Sequence, residues 1–140
     1  MKIAVIGTGH WGINLVRNLH ALGVLSHVVE KDSEIVDEVS KEILNVQFLN
    51  DYDSLLSSEI DAAAIATPAA SHYEIALQFL KAGKDVFIEK PMTLCSKDAT
   101  DLVHNAEHNG TVLMVGHMLL YQPAIKFIKS IEYLNYCYWW

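Results

Sequence analysis

The chain opens with a short apolar run that leads directly into a glycine-rich turn, and this junction constrains the fold more than any other feature. Ile3–Ile6 reads as a strand buried on both faces, because its residues are all apolar and mostly β-branched. The pattern Gly-x-Gly-x-x-Gly follows at residues 7–12, and residues 13–19 have helical periodicity. In this context a glycine triplet indicates a turn that binds the pyrophosphate of a dinucleotide; a plain glycine-rich turn is the alternative.

Each glycine of this turn has a specific predicted role. Gly7 permits the tight turn, Gly9 lets the backbone approach a pyrophosphate, and Gly12 lets the helix pack close to the strand. The helix then presents free N–H groups and a partial positive charge to the phosphates. The residues between the glycines are further candidate cofactor contacts: Thr8, His10 and Trp11. For Trp11 two interpretations stay open, since it either covers the cofactor or packs at the first helical turn.

An acidic residue stands where a dinucleotide-binding unit needs one. A second apolar run, 25–29, ends at Glu30, which matches the position at which an acid binds the adenosine ribose hydroxyls. The carboxylate would repel a 2′-phosphate, so we expect NAD, with NADP disfavoured. The adjacent Lys31 would partly offset that charge and is included among the candidate cofactor contacts. A solvated acid at the end of a strand is the alternative for Glu30.

The composition excludes several classes of function. A formal net charge of −7 and scattered Lys and Arg residues argue against nucleic-acid binding, which needs a clustered basic face. No apolar run reaches the ~18 residues of a membrane span, so no membrane partner is expected. Cys95 and Cys137 lack the spacing of metal ligands, and the pair His104 and His108 has no third ligand nearby, so no metal site is predicted. We expect a reduced, cytoplasmic protein.

Strand and helix patterns alternate along the rest of the chain. Further strands are predicted at residues 25–29, 46–49, 60–66, 85–88 and 111–115. Helices are predicted between them, capped by Asp32 or Ser33, by Ser71 in a capping box with Glu74, and by Ser96. This alternation predicts an α/β fold, a doubly wound parallel Rossmann sheet of about six strands in the order 3-2-1-4-5-6. Residues 1–130 would form this dinucleotide-binding domain.

The unusual polar residues of the chain follow the predicted strands. Ligands of doubly wound sheets bind at the carboxyl ends of the strands. Those ends are the turn after Gly7, Glu30, Thr67-Pro68, Glu89-Lys90-Pro91 and Gly116-His117. The sequence therefore predicts that these residues converge on one edge of the sheet.

Several of these motifs together resemble the glucose–fructose oxidoreductase/inositol dehydrogenase (Gfo/Idh/MocA) family. They are the glycine turn, Ala66-Thr67-Pro68, Glu89-Lys90-Pro91, and Gly116-His117 followed by Tyr121-Gln122-Pro123. The resemblance covers residues 1–130, and within the family it is nearest to dehydrogenases that oxidise UDP-linked N-acetylhexosaminuronates. It implies an NAD-dependent oxidoreductase that transfers hydride from the hydroxyl of a small-molecule sugar or nucleotide sugar, and it leaves a homo-oligomer as an expectation.

The resemblance also implies roles for individual residues. The segment Ala66, Thr67 and Pro68 would line the cofactor, and Glu89 would contact the nicotinamide ribose. His117 would lie beside the nicotinamide.

Lys90 is the candidate catalytic residue. The resemblance implies that Lys90 reaches both the cofactor and the substrate hydroxyl that loses its proton, aimed by Pro91, which is often cis in the family. The chemistry agrees, because a lysine near a bound NAD cation is placed for proton transfer or for holding an alkoxide. A surface ion pair with Glu89 is the alternative. His72, at the start of a ligand-facing helix, is a further candidate cofactor contact.

Members of the family carry a second domain that supplies most of the substrate pocket, and we expect that domain to be missing here. Residues 131–140 form a dense aromatic tail where it would start. The leading hypothesis is an NAD-binding half of a sugar dehydrogenase, incomplete for turnover alone. The alternatives are a non-catalytic nucleotide-binding or interaction module, and a site completed by a separate chain.

Overall fold

The computed structural model describes residues 1–130, so the predicted aromatic tail at 131–140 lies outside the described residues. One sheet contains strands β1 (Ile3–Ile6), β2 (Leu25–Val29), β3 (Gln47–Leu49), β4 (Ala62–Ile65), β5 (Asp85–Ile88) and β6 (Leu113–Val115). The helices are α1 (Gly12–Ala21), α2 (Ser33–Glu42), α3 (His72–Lys81), α4 (Ser96–Asn109) and α5 (Pro123–Ser130). Short 3-10 helices lie at Asp53–Ser57, Ala69–Ser71 and Met118–Tyr121.

The strands are parallel and their order is β3-β2-β1-β4-β5-β6, which confirms the predicted order. The last residue of each strand pairs with the last residue of its neighbours. Ile6 lies opposite Val29 and Ile65, Ile65 lies opposite Ile88, and Ile88 lies opposite Val115. The carboxyl ends of the strands are therefore level, so the segments that follow them begin at the same edge.

Helices cover both faces of the sheet because successive residues of each buried strand point to opposite faces. On one face, Val5 and Val28 pack against Val16 of α1 and Val39 of α2. The other face contains the larger cluster, in which β1, β4 and β5 pack against α3 and α4; its members include Ile6, Ile65, Ile88, Phe79, Leu80 and Leu102. This packing fixes α3 beneath the segments that follow β4 and β5.

Three strands begin later than predicted. β3 begins at Gln47 instead of 46, β4 at Ala62 instead of 60, and β6 at Leu113 instead of 111. Ile60 is nevertheless buried in the core, although it lies outside the strand. At β6 the N–H of Val112 donates to the Asp85 side chain, which replaces a backbone ladder bond.

The predicted cap of α2 is confirmed and the predicted cap of α4 is wrong, whereas Ser71 occupies the predicted N-cap position of α3 without a capping hydrogen bond. The Asp32 carboxylate accepts a hydrogen bond from the N–H of Glu34 at 2.9 Å. Ser71 lies in a helical conformation at the end of a 3-10 turn, and its hydroxyl points back to Thr67 and away from the α3 amides. The N-cap of α4 is Cys95, and Ser96 is already the first helical residue.

The glycine turn depends on two close approaches. Gly7 has φ +88°, and a Cβ there would come within 3.0 Å of the Thr67 methyl group. A Cβ at Gly12 would collide with the carbonyl oxygen of Gly7, because α1 begins directly against the turn. Gly9 differs from both, since nothing lies within 4 Å of the position its Cβ would take.

Matched alanine substitutions separate these two kinds of glycine. We expect Gly12→Ala to lower the free energy of unfolding by about 1–3 kcal/mol, because the added methyl group meets backbone that cannot move freely. Gly9→Ala should leave it within about 0.5 kcal/mol of the original value, as surface changes usually do. Urea unfolding followed by circular dichroism measures both. Equal destabilisation by the two changes would contradict the close approach at Gly12.

Candidate cofactor-binding site

The segments that follow the strands are joined to one another by backbone hydrogen bonds. The first residue after one strand donates its N–H to the last carbonyl of the next strand in the sheet. These bonds run from Gly7 to Val29, from Glu30 to Leu49, from Ala66 to Ile6, from Glu89 to Ile65 and from Gly116 to Ile88, at 2.8–2.9 Å. All five predicted segments therefore lie side by side at the carboxyl edge, as the sequence indicated.

The Glu30 carboxylate links the end of β2 to the glycine turn. Its Oε2 accepts hydrogen bonds from the N–H of Thr8 at 2.8 Å and from the Thr8 hydroxyl at 2.7 Å. Its Oε1 accepts from the N–H of Lys31 at 2.7 Å and from that of Asp32 at 3.1 Å. Partial burial alone would raise the pKa of Glu30, but the hydrogen bonds from Thr8, Asp32 and Lys31 outweigh it and hold this pKa below its usual value. The group therefore stays anionic at a lower pH than an exposed glutamate.

The glycine turn next to this carboxylate contains both buried and exposed residues. Thr8 is buried by its contact with Glu30, whereas Gly9 and His10 are exposed. Trp11 is 46% exposed and occupies the N-cap position of α1 without a side-chain cap bond. The exposed backbone at Gly9 and the free start of α1 fit a phosphate group, which backbone N–H groups at a helix N-terminus bind well. Both interpretations of Trp11 stay open.

The segment after β4 lies against the glycine turn. The Thr67 methyl group packs where a Gly7 side chain would lie, and the Ser71 hydroxyl is 2.8 Å from both Thr67 Oγ1 and the Pro68 carbonyl oxygen. Pro68 is exposed, and Ala66 and Thr67 are half-buried. The structure therefore brings this predicted segment next to the predicted pyrophosphate turn.

His72 lies beneath this edge instead of on its surface. The side chain is 1% exposed, and its Nε2 and Nδ1 lie 2.7 Å and 2.9 Å from the carbonyl oxygens of Thr67 and Pro91. Both ring nitrogens face backbone, so no polar atom of the ring is left for a cofactor. The structure thus separates His72 from the exposed residues with which the sequence grouped it.

Glu89 is buried at the end of β5 and carries an unused hydrogen-bonding atom. Its Oε2 accepts from the N–H of Lys90 at 3.3 Å, while its Oε1 has no partner among the described residues. A buried carboxylate oxygen without a partner is costly, so this oxygen is a candidate acceptor for a hydrogen-bond donor that binds at the edge. Gly116 leaves room for this group, because a Cβ there would come within 3.0 Å of Oε1. The sequence alone did not reveal this role of Gly116, although the pairing of β5 with β6 places the two residues side by side.

Lys90 and His117 are both exposed at the same edge. The salt bridges formed among residues 1–130 do not include Lys90, so its ammonium is not paired with Glu89 there. The Lys90–Pro91 peptide bond is cis, as the family resemblance implied. His10 and Lys31 are likewise exposed. The cationic and imidazole side chains of the site therefore face outward, above the buried Glu89.

Among residues 1–130, none of the helices combines the length and the apolar character needed to cross a membrane. In that part of the chain, no three His, Cys, Asp or Glu side chains come together as metal ligands would.

The family assignment rests on this site and on sequence comparison. A family model described as an oxidoreductase family with an NAD-binding Rossmann fold matches residues 1–117. The chain belongs to the Gfo/Idh/MocA oxidoreductase family. All of the predicted cofactor-edge residues lie within the matched range, from Gly7 to His117. The described domain is the NAD-binding Rossmann domain of this family.

Individual Gfo/Idh/MocA relatives share this domain. UDP-N-acetylglucosamine 3-dehydrogenase of Acidithiobacillus ferrooxidans is 34% identical over 130 residues, which are 93% of this chain and 41% of that protein. Its solved structure matches with a TM-score of 0.85 and 32% identity, over 95% of this chain and 42% of its own. The crystal structure of GenD2 from gentamicin A biosynthesis in complex with NAD matches with a TM-score of 0.82 and 30% identity, over 92% of this chain and 37% of its own.

The relatives differ in their activities and are longer than this chain. Biliverdin reductase A of Mus musculus is 32% identical over 133 residues, which are 91% of this chain and 43% of that protein. The chain thus spans between 37% and 43% of the length of these relatives. The part that this chain shares with them is the NAD-binding domain.

Proposed function

We propose that this chain is the cofactor-binding part of a dehydrogenase that oxidises a hydroxyl group of a sugar or nucleotide sugar. The observation that carries the proposal is that buried Glu89, whose Oε1 has no partner among residues 1–130, lies next to exposed Lys90 at the carboxyl edge of the sheet. The free carboxylate oxygen can accept a hydrogen bond from a cofactor hydroxyl, and the neighbouring lysine can accept a proton or hold an alkoxide during alcohol oxidation. The Acidithiobacillus ferrooxidans relative, a UDP-N-acetylglucosamine 3-dehydrogenase, favours a UDP-linked amino sugar as the substrate class.

The residues present fit NAD at this edge. Exposed Gly9 and the start of α1 would hold the pyrophosphate, Glu30 the adenosine ribose, and Glu89 the nicotinamide ribose. When bound, NAD supplies an acceptor for hydride. The anionic Glu30 would exclude a 2′-phosphate, so the proposal includes a preference for NAD over NADP. Thr67, Pro68 and His117 would contact the remaining length of the cofactor.

Lys90 would perform the proton chemistry. Its ammonium, free of Glu89, can hold the negative charge that develops on the substrate oxygen, or its amine can accept the hydroxyl proton. The backbone N–H of Lys90 donates to Oε2 of Glu89 and so helps to orient the carboxylate. The side chain of Lys90 is not used in this contact.

A non-catalytic module is the second candidate. Exposed apolar side chains in the 118–127 region favour contact with another surface; they are Met118, Leu119, Leu120, Tyr121 and Phe127. The same surface would serve a homo-oligomer or a separate chain that completes the site.

The proposal also includes a reduced, cytoplasmic location, which the exposed, free thiol of Cys95 favours.

Cofactor choice tests the role of Glu30. We expect NAD⁺ to bind more tightly than NADP⁺, and Glu30→Gln to narrow the difference by about tenfold, because removing the negative charge relieves repulsion of the 2′-phosphate. Titration calorimetry with both cofactors measures this, and Glu34→Gln, an exposed acid in the first turn of α2, is the control. Equal affinities of the unmodified protein for NAD⁺ and NADP⁺ would show that Glu30 does not select the cofactor.

Lys90 tests the enzyme hypothesis. In the whole dehydrogenase of which this chain would be the cofactor-binding part, we expect Lys90→Met to lower NADH formation from a UDP-linked amino sugar by about 10²–10⁴-fold, the usual loss when a proton-transferring group is removed. NAD⁺ affinity should change less than about threefold, since the side chain faces the substrate. Lys97→Met, an exposed lysine of α4, is the matched control.

Two results would oppose this assignment of Lys90. If Lys90 acts instead as an ion-pair partner of Glu89, then Lys90→Met should lower Tm and weaken NAD⁺ binding together. Turnover that survives Lys90→Met would remove Lys90 from the chemistry, and a whole protein that binds NAD⁺ without any turnover would favour the non-catalytic module.

A further inference from the structure

His72 is a buried titratable group that the proposed reaction does not use. It is one of the largest fully buried side chains, at 1% exposure, yet both of its ring nitrogens lie within hydrogen-bond distance of an oxygen. The oxygens belong to the backbone carbonyls of Thr67, which follows β4, and of Pro91, which follows β5. The ring therefore spans two neighbouring segments of the cofactor edge.

The backbone that carries the His72 ring is held in place by the packing of α3. His72 is the first residue of α3, and the following apolar residues of that helix, Ile75, Ala76 and Phe79, are buried in the larger core cluster with β4 and β5. A neutral imidazole donates from one nitrogen and a protonated ring from both. At least one of the two carbonyls therefore accepts a ring N–H bond, and both accept one when the ring carries a proton on each nitrogen.

The two carbonyls belong to segments that the proposed function places at the cofactor and the substrate. Thr67 lies against the glycine turn through its methyl group, and Pro91 directly follows Lys90. We propose that His72 is a positioning residue, which holds the Thr67 segment and the Lys90–Pro91 segment at a fixed separation around the nicotinamide half of NAD. This inference rests on the proposed function, because it assigns His72 the task of holding the segment that contains Lys90 beside the cofactor.

The position of this link in the fold predicts which half of the cofactor depends on it. A doubly wound sheet consists of two mononucleotide-binding halves. Glu30 and the glycine turn belong to the half formed by β1, β2 and β3, whereas Thr67 and Lys90 follow β4 and β5 of the other half. Loss of the His72 link should therefore disturb the nicotinamide end and spare the adenosine end.

Three substitutions separate the two contacts. His72→Asn keeps an amide nitrogen near the position of Nδ1, toward Pro91, and His72→Gln keeps one near Nε2, toward Thr67. His72→Phe keeps the ring shape and loses both polar contacts. His104→Phe, the same change at an exposed histidine of α4, is the matched control.

Saturation-transfer NMR with NAD⁺ on the whole 140-residue chain provides the readout. We expect His72→Phe to weaken NAD⁺ binding by about tenfold, the equivalent of one or two lost hydrogen bonds. Saturation of the nicotinamide protons should fall relative to the adenine protons, with Asn and Gln intermediate. Damage to the fold as a whole would lower both ends equally and would count against a positioning role, as would unchanged saturation at both ends.

A measurement on the unmodified protein covers the case in which His72→Phe does not fold. ¹⁵N NMR should show a ring N–H of His72 that is protected from exchange with water and coupled to the carbonyl of Thr67 or Pro91. A ring that exchanges freely would overturn the inference. If the unmodified chain does not bind NAD⁺, the proposed function fails first; if it binds and His72→Phe binds identically, only the role of His72 fails.

Discussion

The close approach of α1 to the turn after β1 is the constraint on which the rest of the structure depends. α1 begins with Gly12 against the carbonyl oxygen of Gly7, where no side chain fits. This contact fixes the direction in which α1 leaves the sheet, and with it the free helix N-terminus at the carboxyl edge. The parallel register then brings the ends of the other strands level with that point, so the cofactor residues meet without any long loop.

The two carboxylates at the carboxyl edge differ in their hydrogen bonding and burial. Glu30 accepts four hydrogen bonds from Thr8, Lys31 and Asp32, which hold its pKa down and fix it against the glycine turn. Glu89 is more deeply buried, and one of its oxygens has no partner within residues 1–130. The first is therefore organised before a ligand arrives, whereas under the proposed function the second would gain its missing partner from the ligand. The adenosine half would then have a preformed contact, and binding would complete the nicotinamide half.

Local patterns predicted the sheet, the strand order and the Asp32 cap, because periodicity and glycine placement act over a few residues. They did not predict contacts that join distant segments. Ser71 has the sequence of a cap, but a preceding 3-10 turn rotates its hydroxyl toward Thr67. His72 resembles a ligand residue by position, and only the packing of α3 under β4 and β5 turns it toward Pro91, 19 residues away. Such roles depend on register and helix docking, which a single sequence does not display.

Mapping NAD⁺ binding by ¹⁵N–¹H NMR tests the central claim, that the carboxyl edge of the sheet holds the cofactor. The account predicts that the amide signals of Gly9, Thr67 and His117 shift during titration with NAD⁺. The signals of Lys2, Asp61 and Lys84, which precede β1, β4 and β5 at the opposite edge, should stay in place. Shifts confined to the opposite edge, or no shifts at saturating NAD⁺, would contradict the account.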